Sequence, residues 1–168
     1  DTLNGGGGND RLTVGGGNDV VNGGDGDDLL IVDYSGDNGS FAMGAGNALI
    51  SDSGGTSVSF VNIERIDVKL GSGNDTIVLG NGNDRIDGGA GDDSLDTGTG
   101  AAVVDGGAGN DLWISDFSGD AAAKTINLNL AGIQSAGNGT TYVNVERLNF
   151  TGGAGNDAIV TRTGNPND

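Results

Sequence analysis

A nine-residue repeat is the feature that most limits what this chain can fold into. The first six positions of each copy hold mainly Gly, Asn and Asp, and position eight holds an apolar residue. Glycine permits the positive φ angles of tight turns, and three residues centred on one inward side chain make a very short strand. The copies are GGGGNDRLT (5–13), VGGGNDVVN (14–22), GGDGDDLLI (23–31), LGSGNDTIV (70–78), LGNGNDRID (79–87), GGAGDDSLD (88–96), TGTGAAVVD (97–105), GGAGNDLWI (106–114) and GGAGNDAIV (152–160).

Two nonapeptides form one coil of 18 residues, in the order turn, strand, turn, strand. Each strand then stacks in parallel on the strand one coil away. We therefore predict an all-β fold with two parallel sheets and a thin aliphatic core between them. The side chains predicted to fill that core are those at position eight: Leu12, Val21, Leu30, Ile77, Ile86, Leu95, Val104, Trp113 and Ile159.

A longer period of 83 residues overlies the short one. The three nonapeptides of 5–31 return at 88–114, VDYSGD (32–37) returns as SDFSGD (115–120), and VNIERIDV (61–68) returns as VNVERLNF (143–150). We divide the single elongated unit accordingly, and we expect the interruptions to be irregular coils that continue the sheets. The segments are 1–31 (nonapeptides), 32–69 (interruption), 70–114 (nonapeptides), 115–151 (interruption) and 152–168 (one or more terminal repeats).

Such a core cannot hold the chain together alone. One inward side chain contributes about 1.5–3 kcal/mol, whereas ordering the backbone costs about 1–2 kcal/mol for each residue. The formal net charge is −17, with 22 aspartates among the 24 acidic residues, so carboxylates stacked on successive turns also repel one another. A divalent cation between the turns would cancel this charge and link successive coils, and short carboxylates beside glycine suit a hard cation.

The composition also excludes several kinds of partner. The chain has no Cys and no His, which excludes disulfides and imidazole or thiolate metal sites. Its negative charge makes nucleic acid and anionic membranes poor partners. It has no apolar run long enough for membrane insertion and no signal peptide. Because the pattern is already under way at Asp1, we expect the chain to be a fragment of a larger protein.

The repeat strongly resembles the RTX, or haemolysin-type, calcium-binding nonapeptide GGxGxDxUx, in which U is a large apolar residue. Five copies meet this pattern in full, for example GGAGNDLWI. The resemblance implies a parallel β-roll, a right-handed two-sheet solenoid, with calcium between turns 18 residues apart. The position-six carboxylates and backbone carbonyls of the glycine-rich turns would hold the ions, several of them, roughly five to nine.

Carried onto this chain, the resemblance implies the pairs Asp1 with Asp19 and Asp10 with Asp28. Further along it implies Asp75 with Asp93 and Asp93 with Asp111. Asp84 would face Ala102, which leaves that site weak or empty.

Three further aspartates are less regular candidates. Asp37 and Asp120 have the phase of position six if the coil continues through the interruptions, so that Asp37 would close a site with Asp19. Asp157 lacks a partner, because Pro166 stands where the following repeat would carry its aspartate. Any of these carboxylates could instead cap local turn amides. Asp25, Asp27 and Asp92, at positions three or five, are interpreted as solvated charges.

Two other features recur or stand out in the sequence. Glu64–Arg65 and Glu146–Arg147 contain the only two glutamates and occur in register. The alternatives for the role of these pairs are an ordinary ion pair, a salt bridge between the copies, a partner contact and an additional calcium ligand. Trp113 is expected to fill a wider part of the core rather than to form a ligand platform.

For function, the resemblance implies a module that leaves a Gram-negative cell unfolded by type I secretion and folds on calcium outside. We expect it to be secreted or on the cell surface, as a structural part of an adhesin, surface-layer or filament protein that stacks on neighbouring repeats. The alternative is the C-terminal module of a secreted RTX toxin or enzyme whose catalytic domain lies outside this chain. We expect no enzyme activity within it, because it lacks the usual nucleophile and base residues.

Overall fold

The computed structural model describes residues 1–44 and 48–163, and these residues form strands and turns without a helix. No part of the described chain is therefore a helix able to cross a membrane. The strands in chain order are β1 (Thr2–Gly7), β2 (Arg11–Val14), β3 (Asn18–Asp25), β4 (Leu29–Asp33), β5 (Phe41–Met43), β6 (Leu49–Asp52), β7 (Ser57–Val61), β8 (Arg65–Lys69), β9 (Thr76–Val78), β10 (Arg85–Asp87), β11 (Ser94–Asp96), β12 (Val103–Asp105), β13 (Leu112–Asp116), β14 (Thr125–Asn127), β15 (Gln134–Gly137), β16 (Thr140–Val143), β17 (Arg147–Thr151) and β18 (Ala158–Val160).

Successive nonapeptides contribute strands to alternate sheets, as the 18-residue coil predicts. The first sheet has the order β1-β3-β7-β6-β5-β9-β11-β13-β17, the second β15-β16-β12-β10-β8-β4-β2, and β14 pairs with β18 alone. Position-eight residues pair one coil apart, so Leu95 lies between Ile77 and Trp113, while Ile86 pairs with Val104. The fold is thus a β-roll whose nonapeptide strands are all parallel.

The thin core between the sheets is built mainly from position-eight side chains. Val21, Leu30, Ile77 and Leu95 have no solvent exposure, and Leu12 and Ile159 pack against the core while partly exposed. Alternation of inward and outward residues along each short strand produces this burial.

Trp113 fills the core, as expected from the sequence. It is fully buried, its ring stacks on Tyr142 at a centroid distance of 5.1 Å, and its Nε1 donates to Thr97 Oγ1 at 3.1 Å. An aromatic residue fits here because the neighbouring interruption supplies a second ring, Tyr142, on which it stacks.

The interruptions differ from the predicted irregular coils because both contain antiparallel pairs. In 32–69, β5, β6 and β7 form an antiparallel meander that enters the first sheet between β3 and β9. In 115–151, β15 and β16 form an antiparallel pair at the edge of the second sheet. These segments lack the glycine-rich turns that carry the chain from one sheet to the other, so the chain reverses within one sheet instead.

The two 83-residue copies share several contacts, but their equivalent strands lie on opposite sheets. Tyr34 and Phe117 are both buried, and their N–H groups donate to the carbonyls of Lys69 and Thr151, respectively, each at 2.8 Å. The strand before the first interruption, β4, belongs to the second sheet, whereas its counterpart β13 belongs to the first. Equivalent residues of the copies therefore reach opposite edges of the roll.

Candidate metal-binding columns

Carboxylates at position six form a ladder of hydrogen bonds along each edge of the roll. The N–H of Asp75 donates to Oδ1 of Asp93 at 2.8 Å, and the N–H of Asp93 donates to Oδ1 of Asp111 at 2.9 Å. On the other edge the N–H of Asp10 donates to Oδ1 of Asp28 at 2.7 Å. We call each such row of position-six residues a column, and it brings together residues that are 18 apart in the sequence.

The second carboxylate oxygen in these columns has no partner. It is buried and accepts no hydrogen bond from any described residue in five aspartates: Asp10, Asp28, Asp75, Asp93 and Asp111. A buried acceptor without a partner costs about 1–3 kcal/mol, and more when it is charged. These five Oδ2 atoms are therefore oriented toward positions where a cation would relieve the cost.

Backbone carbonyls of the glycine-rich turns point to the same positions. A Cβ added to Gly5 would lie 2.5 Å from the carbonyl oxygen of Gly23 and 2.6 Å from Asp10 Oδ2. A Cβ at Gly88 would likewise collide with Asp93 Oδ2 and the carbonyl oxygen of Gly106. Glycine at position one thus leaves a cradle between a carboxylate and a carbonyl that any other residue would fill.

The electrostatics of the columns penalise the charged carboxylates. Burial raises the pKa of Asp93 to about 7, although the hydrogen bond from the Asp75 N–H acts to lower it. Burial also raises the pKa values of Asp75 and Asp111 to about 6, and it raises the pKa of Asp84. Without a cation, keeping these buried carboxylates ionised therefore costs the folded chain free energy.

A second ladder, which the sequence analysis missed, runs through position five. The N–H of Asp92 donates to Oδ1 of Asn74 at 3.0 Å, and Oδ1 of Asp92 accepts the N–H of Asn110 at 2.9 Å. Here the side chain bonds to the following coil, whereas at position six it bonds to the preceding coil. The preference for Asn or Asp at position five was the available signal, because only short side chains with an oxygen reach the neighbouring backbone.

Asp84 faces the repeat 97–105, which has alanine at positions five and six and is called the broken repeat below. The register is the predicted one, since Arg85 pairs with Val103. Its Oδ1 accepts the N–H of Ile66 at 2.8 Å, toward the preceding coil. The Ala102 N–H donates to the Thr140 hydroxyl at 3.3 Å, so Thr140 accepts the bond that an aspartate of the following coil accepts elsewhere. The structure thus provides a carboxylate from Asp84 and none from the turn that follows it.

The expectation that Asp37 joins Asp19 is not met, because the coil does not continue through the interruption. Val58 pairs with Asp19, and the residue whose N–H donates to Asp75 Oδ1 is Phe41. Asp37 instead caps a local turn, where its Oδ1 accepts the N–H of Gly39 at 3.0 Å.

Asp120 likewise lies outside the columns. Its carboxylate accepts the N–H of Ala122 at 2.9 Å and pairs with the Lys124 ammonium at 2.5 Å. Nothing in the sequence indicated a role for Lys124, although its side chain is only 1% exposed.

The ends of the described chain give less complete columns. The amino nitrogen of Asp1 donates to Asp19 Oδ1 at 2.7 Å, while the side chain of Asp1 is 93% exposed. Asp157 Oδ1 accepts the N–H of Lys124 at 2.9 Å, and a Cβ at Gly152 would collide with Asp157 Oδ2. Pro166, which the sequence places opposite Asp157, lies outside the described residues.

Neither glutamate pairs with the arginine beside it. Arg65 pairs with Asp27 at 2.9 Å, and the Asp27 side chain is 57% exposed, so it is a solvated charge that also forms a surface ion pair. Arg147 donates to the carbonyl of Asn110 at 2.8 Å. Both glutamates accept backbone N–H groups instead. The interpretation as an ordinary ion pair between adjacent Glu and Arg residues is therefore wrong.

The donors present fit a hard cation. They are carboxylate and carbonyl oxygens, and calcium binds six to eight oxygens in flexible geometry. Within residues 1–44 and 48–163, no three carboxylates converge on one point. An ion held in a column would therefore need backbone carbonyls as well as aspartates, and the turns present them.

Comparisons with known proteins agree with this geometry. The family model of the RTX calcium-binding nonapeptide repeat matches four stretches of the chain, residues 1–30, 70–104, 80–112 and 149–166. A search of curated proteins found no match. The four stretches together cover more than half of the sequence, and they contain the aspartate columns. The chain belongs to the RTX calcium-binding nonapeptide-repeat family and is a calcium-binding β-roll module.

Proposed function

We propose that this module is a calcium-dependent structural element of a larger secreted or cell-surface protein. The ions would bind between successive turns of each column, at Asp10 with Asp28, Asp75 with Asp93, and Asp93 with Asp111. Asp1, Asp19, Asp84 and Asp157 would contribute at less complete positions. The observation that carries the proposal is the set of buried, unpartnered Oδ2 atoms beside turn carbonyls.

Calcium would act as a folding switch. When bound, the ion neutralises the stacked carboxylates, and it stabilises the folded state by RT ln(1 + [L]/Kd), about 2.7 kcal/mol per site at a hundredfold excess. Several sites together approach the whole stability of an ordinary domain, about 5–15 kcal/mol. A chain of this charge would remain unfolded where calcium is scarce and fold where it is plentiful, as secretion before folding requires.

A structural role is supported by the 83-residue superrepeat. Both copies bury an aromatic residue at the same point and place the same VNxER segment against a column. Large units repeated in this way suit the extension of an adhesin, surface-layer or filament protein. The binding partners would then be calcium and neighbouring repeats of the same roll.

Circular dichroism of the 168-residue chain with and without calcium tests the proposal. We expect a strong β signal with calcium and its loss after chelation, with recovery when calcium is restored. An equal β signal in chelator would contradict calcium-driven folding. A Mg²⁺ arm at the same concentration is the control, because Mg²⁺ demands near-octahedral geometry and dehydrates reluctantly.

A further inference from the structure

The two glutamates of the chain lie in matching VNxER segments, at 61–65 and 143–147. Glu64 Oε2 accepts the N–H of Asp28 at 2.9 Å, and Glu146 Oε2 accepts the N–H of Asp111 at 3.0 Å. In the regular coils this N–H donates to the Oδ1 of the next position-six aspartate. Each glutamate therefore takes the place of that aspartate at the end of a nonapeptide run.

The same segments also replace the glycine-turn carbonyl. A Cβ added at Gly23 would collide with both the Asn62 carbonyl oxygen and Asp28 Oδ2. In the coil before it, the corresponding Cβ at Gly5 meets the carbonyl of Gly23 itself. Asn62 thus presents its carbonyl where a turn glycine presents one in the preceding coil.

The second copy repeats this arrangement on the opposite sheet. A Cβ at Gly106 would collide with the Asn144 carbonyl oxygen and would lie 2.8 Å from Asp111 Oδ2. Asn62 and Asn144 have φ angles of 53° and 51°, in the left-handed region that asparagine tolerates better than most residues. Two separate segments therefore adopt one strained backbone and aim a carbonyl at an unpartnered aspartate oxygen.

We propose that each VNxER segment is the closing half of a calcium site, with Asp28 and Glu64 in one site and Asp111 and Glu146 in the other. The inference rests on the proposed calcium columns and extends them beyond the last nonapeptide. Asp28 and Asp111 are fully buried, and their Oδ2 atoms accept no hydrogen bond from the described residues. The unpartnered Oδ2 atoms thus lie close to the carbonyl oxygens of Asn62 and Asn144 in the VNxER segments.

The spacing explains why the acid is a glutamate. In a nonapeptide the position-one carbonyl and the position-six carboxylate are five residues apart, whereas Asn62 and Glu64 are two apart. The shorter turn places the backbone differently, and the additional methylene of Glu lets its carboxylate reach the same backbone N–H. The segment is thus a compact, glycine-free version of the metal-binding turn.

The two sites differ in one neighbour. Arg162 Nη1 pairs with Glu146 Oε1 at 2.6 Å, whereas no cation among the described residues pairs with Glu64. An arginine on the carboxylate competes with a metal ion for the same oxygen. We therefore expect the Glu64 site to bind calcium more tightly than the Glu146 site.

Calcium titration calorimetry on the 168-residue chain and its Glu64→Gln variant tests the inference. Gln keeps an oxygen for the Asp28 N–H but loses the charge. We expect one ion fewer, or a site weakened at least tenfold, relative to wild type. Asp67→Asn is the matched control, because Asp67 loses the same charge on β8 while contacting Arg85 rather than a column. Unchanged stoichiometry and affinity in Glu64→Gln would overturn the inference.

The outcomes separate this inference from the broader proposal. A wild-type chain that binds no calcium would contradict the calcium columns themselves, whereas a calcium-binding chain unaffected by Glu64→Gln would contradict only the glutamate sites. If Glu64→Gln fails to fold, Arg162→Gln tests the second site without removing a ligand. We expect it to raise calcium affinity at Glu146, and no increase would overturn the inference there.

Discussion

Asp93 and Asp111 are joined across a broken repeat. The N–H of Asp93 donates to Oδ1 of Asp111 at 2.9 Å, although the nonapeptide between them has alanine at positions five and six. The two aspartates meet because alternate nonapeptides lie in opposite sheets. The loss of carboxylate at position 102 therefore affects the opposite edge, beside Asp84, and leaves this column intact.

Asp93→Asn should lower the stability of the calcium-loaded chain and raise the calcium concentration needed for folding. Asn retains the oxygen that accepts the Asp75 N–H but removes a carboxylate shared by two proposed sites. At a hundredfold excess of calcium we expect a loss of about 3 kcal/mol or more, measured by denaturant unfolding. Asp87→Asn, which removes an outward carboxylate on β10, is the control. Equal effects of the two variants would contradict a special role for Asp93.

The calcium-free chain should become more stable as the pH is lowered. Burial raises the pKa of Asp93 to about 7 and those of Asp75 and Asp111 to about 6, from 3.8. The folded state therefore binds protons that the unfolded state releases, so this stabilisation is complete below about 3.8 and lost as pH rises through about 6 to 7. The far-UV β signal of calcium-stripped protein should increase on acidification over that range.

Protons should also compete with calcium for the same oxygens, because a protonated carboxyl is a poor ligand. The calcium affinity of the folded chain, measured by calorimetry, should therefore weaken as the pH falls below about 7. An affinity of the folded chain that does not depend on pH in this range would contradict the assignment of these carboxylates as ligands.

Ala102→Asp should restore a calcium site on the second sheet. Position 102 is buried and faces the Asp84 turn, so the new carboxylate would complete the column there. We expect one additional bound ion and higher stability in saturating calcium. Thr99→Asp, on the same turn at position three, is the control and should add no ion. Lower stability of Ala102→Asp in calcium would contradict the register.

Lys124→Met should destabilise the calcium-loaded roll by the same amount at every saturating calcium concentration. The Lys124 ammonium pairs with Asp120 at 2.5 Å and lies 5.4 Å from the centre of the Phe117 ring. Because the Asp120 carboxylate is partly exposed, we expect a loss of about 1–3 kcal/mol, between surface and fully buried pairs. Lys69→Met, at an exposed lysine, should change stability by less than about 0.5 kcal/mol. A Lys124→Met loss that disappears as the calcium concentration is raised would indicate a metal-linked role instead.

The regular part of the fold could be predicted because every nonapeptide repeats the same local pattern of turn and strand. A turn of six residues and a strand of three fix both the alternation between sheets and the inward position. The register of Asp75, Asp93 and Asp111 follows from the 18-residue coil alone. Their pairing therefore needed no tertiary information beyond the period.

The interruptions could not be predicted in the same way, because they carry no period. Nothing local distinguishes the antiparallel meander of β5, β6 and β7 from a wide parallel coil. The same holds for Lys124, which replaces Phe41 of the first copy and is buried only because Asp120 and Phe117 surround its ammonium. The role of Glu64 depends on a backbone at positive φ that the sequence signals only through Asn62.

A crystal structure of the calcium-loaded chain is the most direct test of the central claim. We predict calcium density beside Oδ2 of Asp93, shared with the Asp75 and Asp111 turns, and none between Asp84 and Ala102. Density for a fully occupied ion beside Ala102, or an empty position beside Asp93 in saturating calcium, would contradict the account.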